Sequence, residues 1–407
     1  MGGFPVASPA AALALVAAVD PDGYARRRNH LDGPVSGLSP YLTHGVTDIP
    51  RVVAALCARA PLATQHKFVY ELGWREYFRH VWMHRGAGIF RSLHPGPLSE
   101  ADYAAALPAD LRAARTGLAP IDAAVRSLYE RGTLHNHARM WLASYLVHLR
   151  KVHWRAGADW MYGHLLDGDL ASNHLSWQWV AGTGSHKPYL FNAANVARFA
   201  PAGWHCGGGP LDVGYEALER IARDPAARLG IPSAGAAADP PVPGVVEPPV
   251  LGGPPAWLGA VAPDAAAVAG REVWLVHPWS LGELPSDLPG DVLPIGLWVA
   301  DFHRAWPWRE ARWRFVGERM GALARVCWWG EAAAIGRALA AARRVRVLDE
   351  PHLSPWLAEW AECRQAPRLF PRLERRCDSF SQWWTRVTRG RPQAAGLLVG
   401  AIDGGAA

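Results

Sequence analysis

Hydroxyls, carboxylates, amides, guanidinium groups and indoles able to hold a phosphorylated, ring-bearing ligand fall in three segments of the N-terminal half. The first is Tyr24-Ala-Arg-Arg-Arg-Asn29, followed by Ser36-Gly37-Leu38-Ser39 ahead of Pro40. Hydroxyls and free backbone N–H groups before a helix make a cradle for phosphate. The plainer account is a helix start with Ser39 as its cap and Pro40 in the first turn. The second segment is Glu71-Leu-Gly-Trp74-Arg75-Glu-Tyr-Phe78-Arg-His80. Helical spacing puts Glu71, Trp74, Arg75 and Phe78 on one face. Such a face can bond a base edge, stack on a ring and hold a phosphate, or it can simply carry an internal Glu71–Arg75 ion pair. The third runs His135-Asn136-His137-Ala-Arg139-Met140, opening a helix to about Trp154, then Asp167-Gly168-Asp169-Leu-Ala-Ser-Asn173-His-Leu-Ser-Trp177-Gln-Trp179. Asn136, Arg139 and Met140 share a face, and Asp167, Asp169 and Asn173 can offer carboxylate and amide partners to one ligand. A solvated turn with a capping Asp is the alternative. His135 and His137 diverge on a helix, so no metal site is expected, and Gly182-Thr-Gly-Ser-His-Lys187 lacks P-loop spacing.

The elements that carry these residues read as helical. Tyr70, Trp74, Tyr77, Phe78, Val81 and Trp82 recur at three- and four-residue spacing, as do apolar positions in 121–129 and 140–147. The periodicity predicts an all-α domain over residues 8–205. Residues 231–256 are rich in Pro, Gly and Ala and read as linker, within a connection spanning 206–256. Beyond it, 273–277, 292–299, 326–329 and 345–348 are short apolar runs suited to buried parallel strands, with helices over 312–324 and 332–343 between them. The expected fold is therefore mainly α, with a smaller α/β domain over 257–365 built on a parallel sheet. No glycine fingerprint follows its strands. A tail, 366–407, contains a helix expected over 370–387 that carries Trp383 and Trp384.

Composition sets the class. The 407 residues are half hydrophobic and 19% charged, a globular balance and long enough for two domains. No apolar run is long enough to span a membrane, and the apolar stretch 7–19 lacks the basic start of a signal peptide. Five scattered cysteines without a CxxC pair suggest free thiols in a reducing cytoplasm. The formal charge of +6 falls entirely within residues 1–205, which makes that half the candidate for a polyanionic partner. The 21 tryptophans invite a stacking or electron-transfer role.

Taken together, Tyr24, SGLSPYL (36–42), ELGWREYFRH (71–80), TGLAPIDAAVRSLYERG (116–132), HNHARM (135–140) and DGDLASNHLSWQW (167–179) resemble, in order and spacing, the FAD-binding domain of the DNA photolyase/cryptochrome family. Each block alone is weak; the set is specific. The resemblance implies FAD, with Tyr24, Ser36, Gly37, Leu38, Ser39 and Arg75 on its diphosphate side. It implies an Arg139–Asp167 ion pair beside the isoalloxazine, Asp169 with Gly168 at the ribose or ring edge, and Asn173 facing the flavin N5. Glu71, Trp74, Asn136, His137, Met140 and Trp179 match the pocket for a flipped pyrimidine dimer, with Asn136 also near the cofactor. Trp177 and Trp154 match the first two members of the electron relay. The implied activity is that of a carbon–carbon lyase, deoxyribodipyrimidine photo-lyase, acting on damaged DNA, single-stranded DNA included, as a cytoplasmic monomer. The alternative is a cryptochrome-like light sensor or DNA-binding protein without repair. The chain departs from the family in placing the helical domain first. The arginine-rich turn after the first strand of the α/β part is missing, which speaks against an antenna chromophore. His137 stands where arginine is frequent, Thr133 where tryptophan is usual, and Tyr103 is the nearest aromatic to the relay's outer position.

Overall fold

The computed structural model describes residues 5–227, 229 and 243–402. Contacts divide the chain into two compact units interleaved in sequence. One comprises Met1–Pro21, Ser36–His84 and Val250–Ala407; the other comprises Asp22–Val35 and Arg85–Pro249. The division differs from the boundary at residue 205 that composition suggests, because residues 36–84 side with the C-terminal half.

In the first unit the helix Pro9–Ala18 starts at Ser8, whose hydroxyl accepts from the Ala11 N–H (3.1 Å). The strands are β1 Val250–Leu251, β2 Glu272–Val276, β3 Leu293–Val299, β4 Trp308–Arg309, β5 Val326–Gly330, β6 Arg344–Leu348 and β7 Glu362–Arg364. Five of them form a sheet in the order β5-β3-β2-β6-β7, every neighbouring pair parallel. Val273, Trp274, Leu275 and Val276 are all buried, as a strand covered on both faces requires. The four apolar runs read from sequence coincide with β2, β3, β5 and β6. β7, with Glu362 and Arg364 in a three-residue strand, carries no such run. β1 and β4 pair antiparallel as a separate ladder, so the expected linker over 231–256 ends in a strand. Residues 231–242 lie outside the described residues.

The carboxyl ends of β2 and β6, where the strand order reverses, are filled by this unit's own side chains. His277 Nε2 lies 2.9 Å from the Leu348 carbonyl, Trp279 stacks on His352 at 4.2 Å, and Glu350 bonds both His352 (2.6 Å) and Arg79 (3.2 Å). Despite complete burial, the charges of Arg79 and His352 hold the Glu350 carboxyl down to about 2. This is the crevice in which open α/β sheets ordinarily bind ligands.

The tail helix is Phe380–Val387, ten residues shorter at its start than the spacing predicts, since Pro371 and the turn before Ser379 delay it. Its aromatic face lies on the helix Lys67–Arg85: Phe380 stacks on Trp74 (4.0 Å, 13°), and Trp384 Nε1 donates to Gln65 Oε1 (3.0 Å). Gly73 permits the approach, because a Cβ there would lie 2.5 Å from the Trp384 ring. His80 Nε2 accepts from the Cys377 N–H (3.0 Å). Burial, with His84 alongside, lowers the His80 imidazole from its ordinary 6.5 to about 4. The unfolded chain therefore takes up this proton first as pH falls, so stability is full above pH 6.5 and declines toward pH 4. Tryptophan fluorescence and thermal melting are expected to report a loosened tail over that window. His80→Gln, which keeps an acceptor and cannot titrate, should lose that part of the pH dependence.

The second unit is helical. Its core gathers Ile121, Val125 and Leu128 of the helix Ala119–Arg131 with Trp141, Leu142, Leu146 and Leu149. The helix expected from His135 to about Trp154 is broken. Asn136–Ser144 is α-helical, Tyr145–Leu149 is a π-turn, and a new helix Trp154–His164 begins after His153. Lys151 takes a left-handed φ of 52°, and Val152 bridges to Ala104, which ends the first helix and re-aims Trp154. Among the described residues no helix is long and apolar enough to cross a membrane, and no group of three or more His, Cys, Asp or Glu is placed to hold a metal ion.

Candidate functional site

In the second unit the starts of two helices, Asn136–Ser144 and Leu170–Ala181, are tied together by one ion pair. Arg139 Nη2 donates to both oxygens of Asp167 (2.9 and 2.8 Å), and its Nε donates to the Leu134 carbonyl (2.8 Å). Asp167 sits just before the second helix, and Asp169 is its N-cap, accepting from the Ser172 N–H (2.8 Å). One turn on, the buried Asn173 donates from Nδ2 to the Ala158 carbonyl (2.8 Å), which fixes its amide. The Ser172 hydroxyl is buried and has no internal hydrogen-bond partner among the described residues. A guanidinium, two carboxylates, an oriented amide and an unmatched hydroxyl thus converge on helix starts that favour anionic ligands. This donor and acceptor set fits a flavin dinucleotide, whose ring edge carries both donors and acceptors.

The ring and amide neighbours divide into buried and exposed sets. His137 is buried, with Nδ1 2.7 Å from the Asn29 carbonyl and Nε2 3.1 Å from the Tyr189 hydroxyl. A carbonyl only accepts, so the ring proton sits on Nδ1, and burial lowers the pKa. The DNA-contact role expected of His137 is therefore replaced by an internal strut. Asn136 is exposed and its Nδ2 lies 3.8 Å from Met140 Sδ, while Trp179 is 39% exposed and leans on Tyr189. These three remain accessible to a partner.

Trp177 is buried, its six-membered ring seated on Gly157, where any Cβ would overlap it. Gly157 carries no mark in the sequence beyond lying within a helix; only the approach of the ring explains it. Gly157→Ala should displace Trp177, lowering its fluorescence protection and the melting temperature, as overpacking typically costs ~1–3 kcal/mol. Trp154 is buried too, with Nε1 donating to Ser92 Oγ (2.9 Å). Its neighbour His153 lies 5.7 Å away and meets Tyr103 edge-on at 6.1 Å. Burial pushes the Tyr103 phenol up to about 12. Sequence reasoning also missed His174, whose Nε2 lies 2.8 Å from Asp159 Oδ1 and joins the two helices that carry Trp177 and Trp154.

In the first unit, Ser36 Oγ accepts from the Leu38 N–H (3.3 Å), Gly37 has φ 66°, and Leu38 is buried. The helix Ser39–Thr43 begins on Ser39, with Leu38 at the cap position and no side-chain cap. The plainer reading, with Ser39 as the cap, therefore does not hold, and Ser39 is left exposed. Glu71, Trp74 and Arg75 lie on the helix Lys67–Arg85, each half-buried. Glu71 pairs with Lys67 (3.2 Å) one turn before it. One face of Trp74 is covered by Phe380. Tyr24, in the second unit, is half-buried on the helix Pro21–Arg27.

Residues 68–202 match the family model described as the FAD binding domain of DNA photolyase. The chain is 38% identical over 153 residues to a deoxyribodipyrimidine photo-lyase of Streptomyces griseus, covering 37% of this chain and 32% of that protein. It is 34% identical over 221 residues to one of a Synechococcus species, covering 48% and 44%. The chain therefore spans less than half the length of these relatives. Among solved structures it is similar to a cryptochrome of Synechocystis, with 25% identity, a TM-score of 0.41 and coverage of 49% of this chain and 46% of that one.

Proposed function

Because residues 68–202 are related to the FAD-binding domain of the photolyase/cryptochrome family, we propose that the chain is a photolyase-like flavoprotein acting on DNA. The activity proposed is light-driven cleavage of cyclobutane pyrimidine dimers. When bound, FAD supplies the light-driven one-electron chemistry. The chain's own residues bind and orient it. Arg139 and Asp167 would flank the ring as a neutralised pair, so neither charge is left alone in a partly buried place. Asp169 and the free Ser172 hydroxyl offer an acceptor and a donor. Asn173, held by the Ala158 carbonyl, keeps one amide orientation. Asn136, Met140 and Trp179 offer an amide, a thioether and an exposed indole, a set suited to an extruded base. The Arg139–Asp167 pair joining two helix starts is the observation that carries this reading.

The crevice at the ends of β2 and β6 is filled by the Trp279–His352 stack, so a second chromophore seated there would have to displace both rings. A second reading, light sensing without repair, is favoured by the Phe380 ring lying on Trp74, the surface the family resemblance gives to a flipped base.

The test is loss of dimers from a defined oligonucleotide under blue light by FAD-loaded, chemically reduced protein. Light-dependent loss supports repair. Flavin binding without dimer loss leaves the sensor reading, and loss that is equal in the dark contradicts both.

A further inference from the structure

The C-terminal segment pinned to the helix Lys67–Arg85 carries a charge that the flavin reading does not use. Between Arg364 and Arg391 the sequence holds eight arginines against Glu374 and Asp378, in a half whose overall charge is balanced. Its apolar residues turn inward: Phe370, Phe380, Trp383, Trp384 and Val387 are buried. Beyond the Phe380, Trp384 and Cys377 contacts, His84 Nε2 meets the Leu373 carbonyl (3.2 Å). The segment is thus held along successive turns of one helix, and its arginines face out. Arg372, Arg375, Arg376, Arg386 and Arg389 are exposed, and Arg368 is half-buried. Three of the eight meet carboxylates: Arg364 with Asp287 (2.9 Å), Arg372 with Glu374 (3.7 Å) and Arg376 with Asp378 (2.8 Å). Arg368, Arg375 and Arg389 have no carboxylate partner among the described residues. Glu76 of the helix, near Arg368 and Arg372 around a shallow hollow, is a nearby opposing charge.

We propose that this arginine-bearing tail is a binding surface for the sugar–phosphate backbone of nucleic acid. The proposal rests on the DNA reading above and extends binding beyond the N-terminal half, where the excess charge alone would place it. A line of guanidinium groups on a fixed support suits repeated phosphates, which each accept paired N–H bonds. A lipid surface is the weaker match, because no large apolar side chain of 364–391 is exposed for insertion.

The experiment uses the full-length chain and an undamaged fluorescent oligonucleotide, so that it is independent of flavin chemistry. Arg368→Ala, Arg375→Ala and Arg389→Ala are combined, and anisotropy is followed between about 50 and 200 mM salt. Binding should weaken roughly tenfold or more at the lower salt, and the slope of log affinity against log salt should become shallower by about 2 to 3. A control combining Arg304→Ala, Arg314→Ala and Arg343→Ala, exposed arginines elsewhere in the same unit, should change both far less. Circular dichroism and flavin content, unchanged in each, separate binding from folding. Equal loss in the control, an unaltered salt slope, or binding to phosphatidylserine vesicles in place of the oligonucleotide overturns the proposal. If light-dependent repair is absent while the tail variant still loses affinity, the repair reading fails and this one stands.

Discussion

Asp167→Ala is expected to give a folded protein that retains no flavin through purification. The substitution leaves the Arg139 guanidinium without the carboxylate that both its Nη2 contacts reach. Removing one member of a fully buried pair costs ~3–5 kcal/mol. Arg139 keeps 26% of its side-chain surface exposed, so solvent screens part of that cost and the lower end applies. A flavin covering the unpaired guanidinium removes its remaining water, so the penalty falls mainly on the bound state, and ~3 kcal/mol there weakens binding roughly a hundredfold. Arg139→Ala should do the same or more, because Asp167, with 7% exposure, is the more buried charge to be stranded. Asp167→Asn, which keeps an acceptor and loses the charge, should fall between. Flavin absorbance per chain after gel filtration is the measurement. Circular dichroism checks that the helices persist. Full flavin content in Asp167→Ala would remove this pair from the account of binding.

Trp177→Phe is expected to abolish photoreduction of oxidised flavin while leaving FAD bound. Trp177 is buried on Gly157, and Trp154 is buried with its indole N–H spent on Ser92. Both rings are therefore held in place, as hopping across short gaps between aromatic groups requires. Phenylalanine fills much of the same space but is far harder to oxidise, so the packing survives and the path does not. At the outer end, Tyr103 meets His153, which in turn lies beside Trp154. A phenol raised to about 12 must shed a firmly held proton when oxidised, so a relay ending there should be slow and faster at high pH. Tyr103→Phe should accordingly slow photoreduction less than Trp177→Phe does. The measurement is the rate of flavin bleaching under blue light with an external reductant. Undiminished bleaching in Trp177→Phe would mean that electrons reach the flavin by another path.

The parts of this structure legible in sequence are those with a local cause. Four of the five strands of the parallel sheet coincide with apolar runs because burial on both faces leaves no polar position to interrupt them. The two helix starts at Asn136 and Leu170 follow from His135 and Asp169, which cap them by accepting from nearby N–H groups. What spacing could not convey is which face is buried and by what. The face bearing Trp74 reads equally well as a ligand surface or as a core surface. Its partner Phe380 lies more than three hundred residues away in sequence, and such pairings leave no local mark. The interleaving of the two units has the same origin, since the contacts that draw 36–84 toward the C-terminal half are all long-range. The break at Lys151 was hidden because the apolar period runs unbroken to Leu149 and only the left-handed turn stops it. His137 reads as a polar residue available to a ligand, whereas the Asn29 carbonyl and the Tyr189 hydroxyl engage both its nitrogens.

The central claim is that this chain binds FAD through the cluster at the start of its two tied helices, and the visible absorption spectrum of the purified protein tests it most directly. The account predicts a yellow or blue protein, or one that becomes so on adding FAD, with one noncovalent flavin per chain released on unfolding and lost in Asp167→Ala. A colourless, folded protein that takes up no FAD would contradict it.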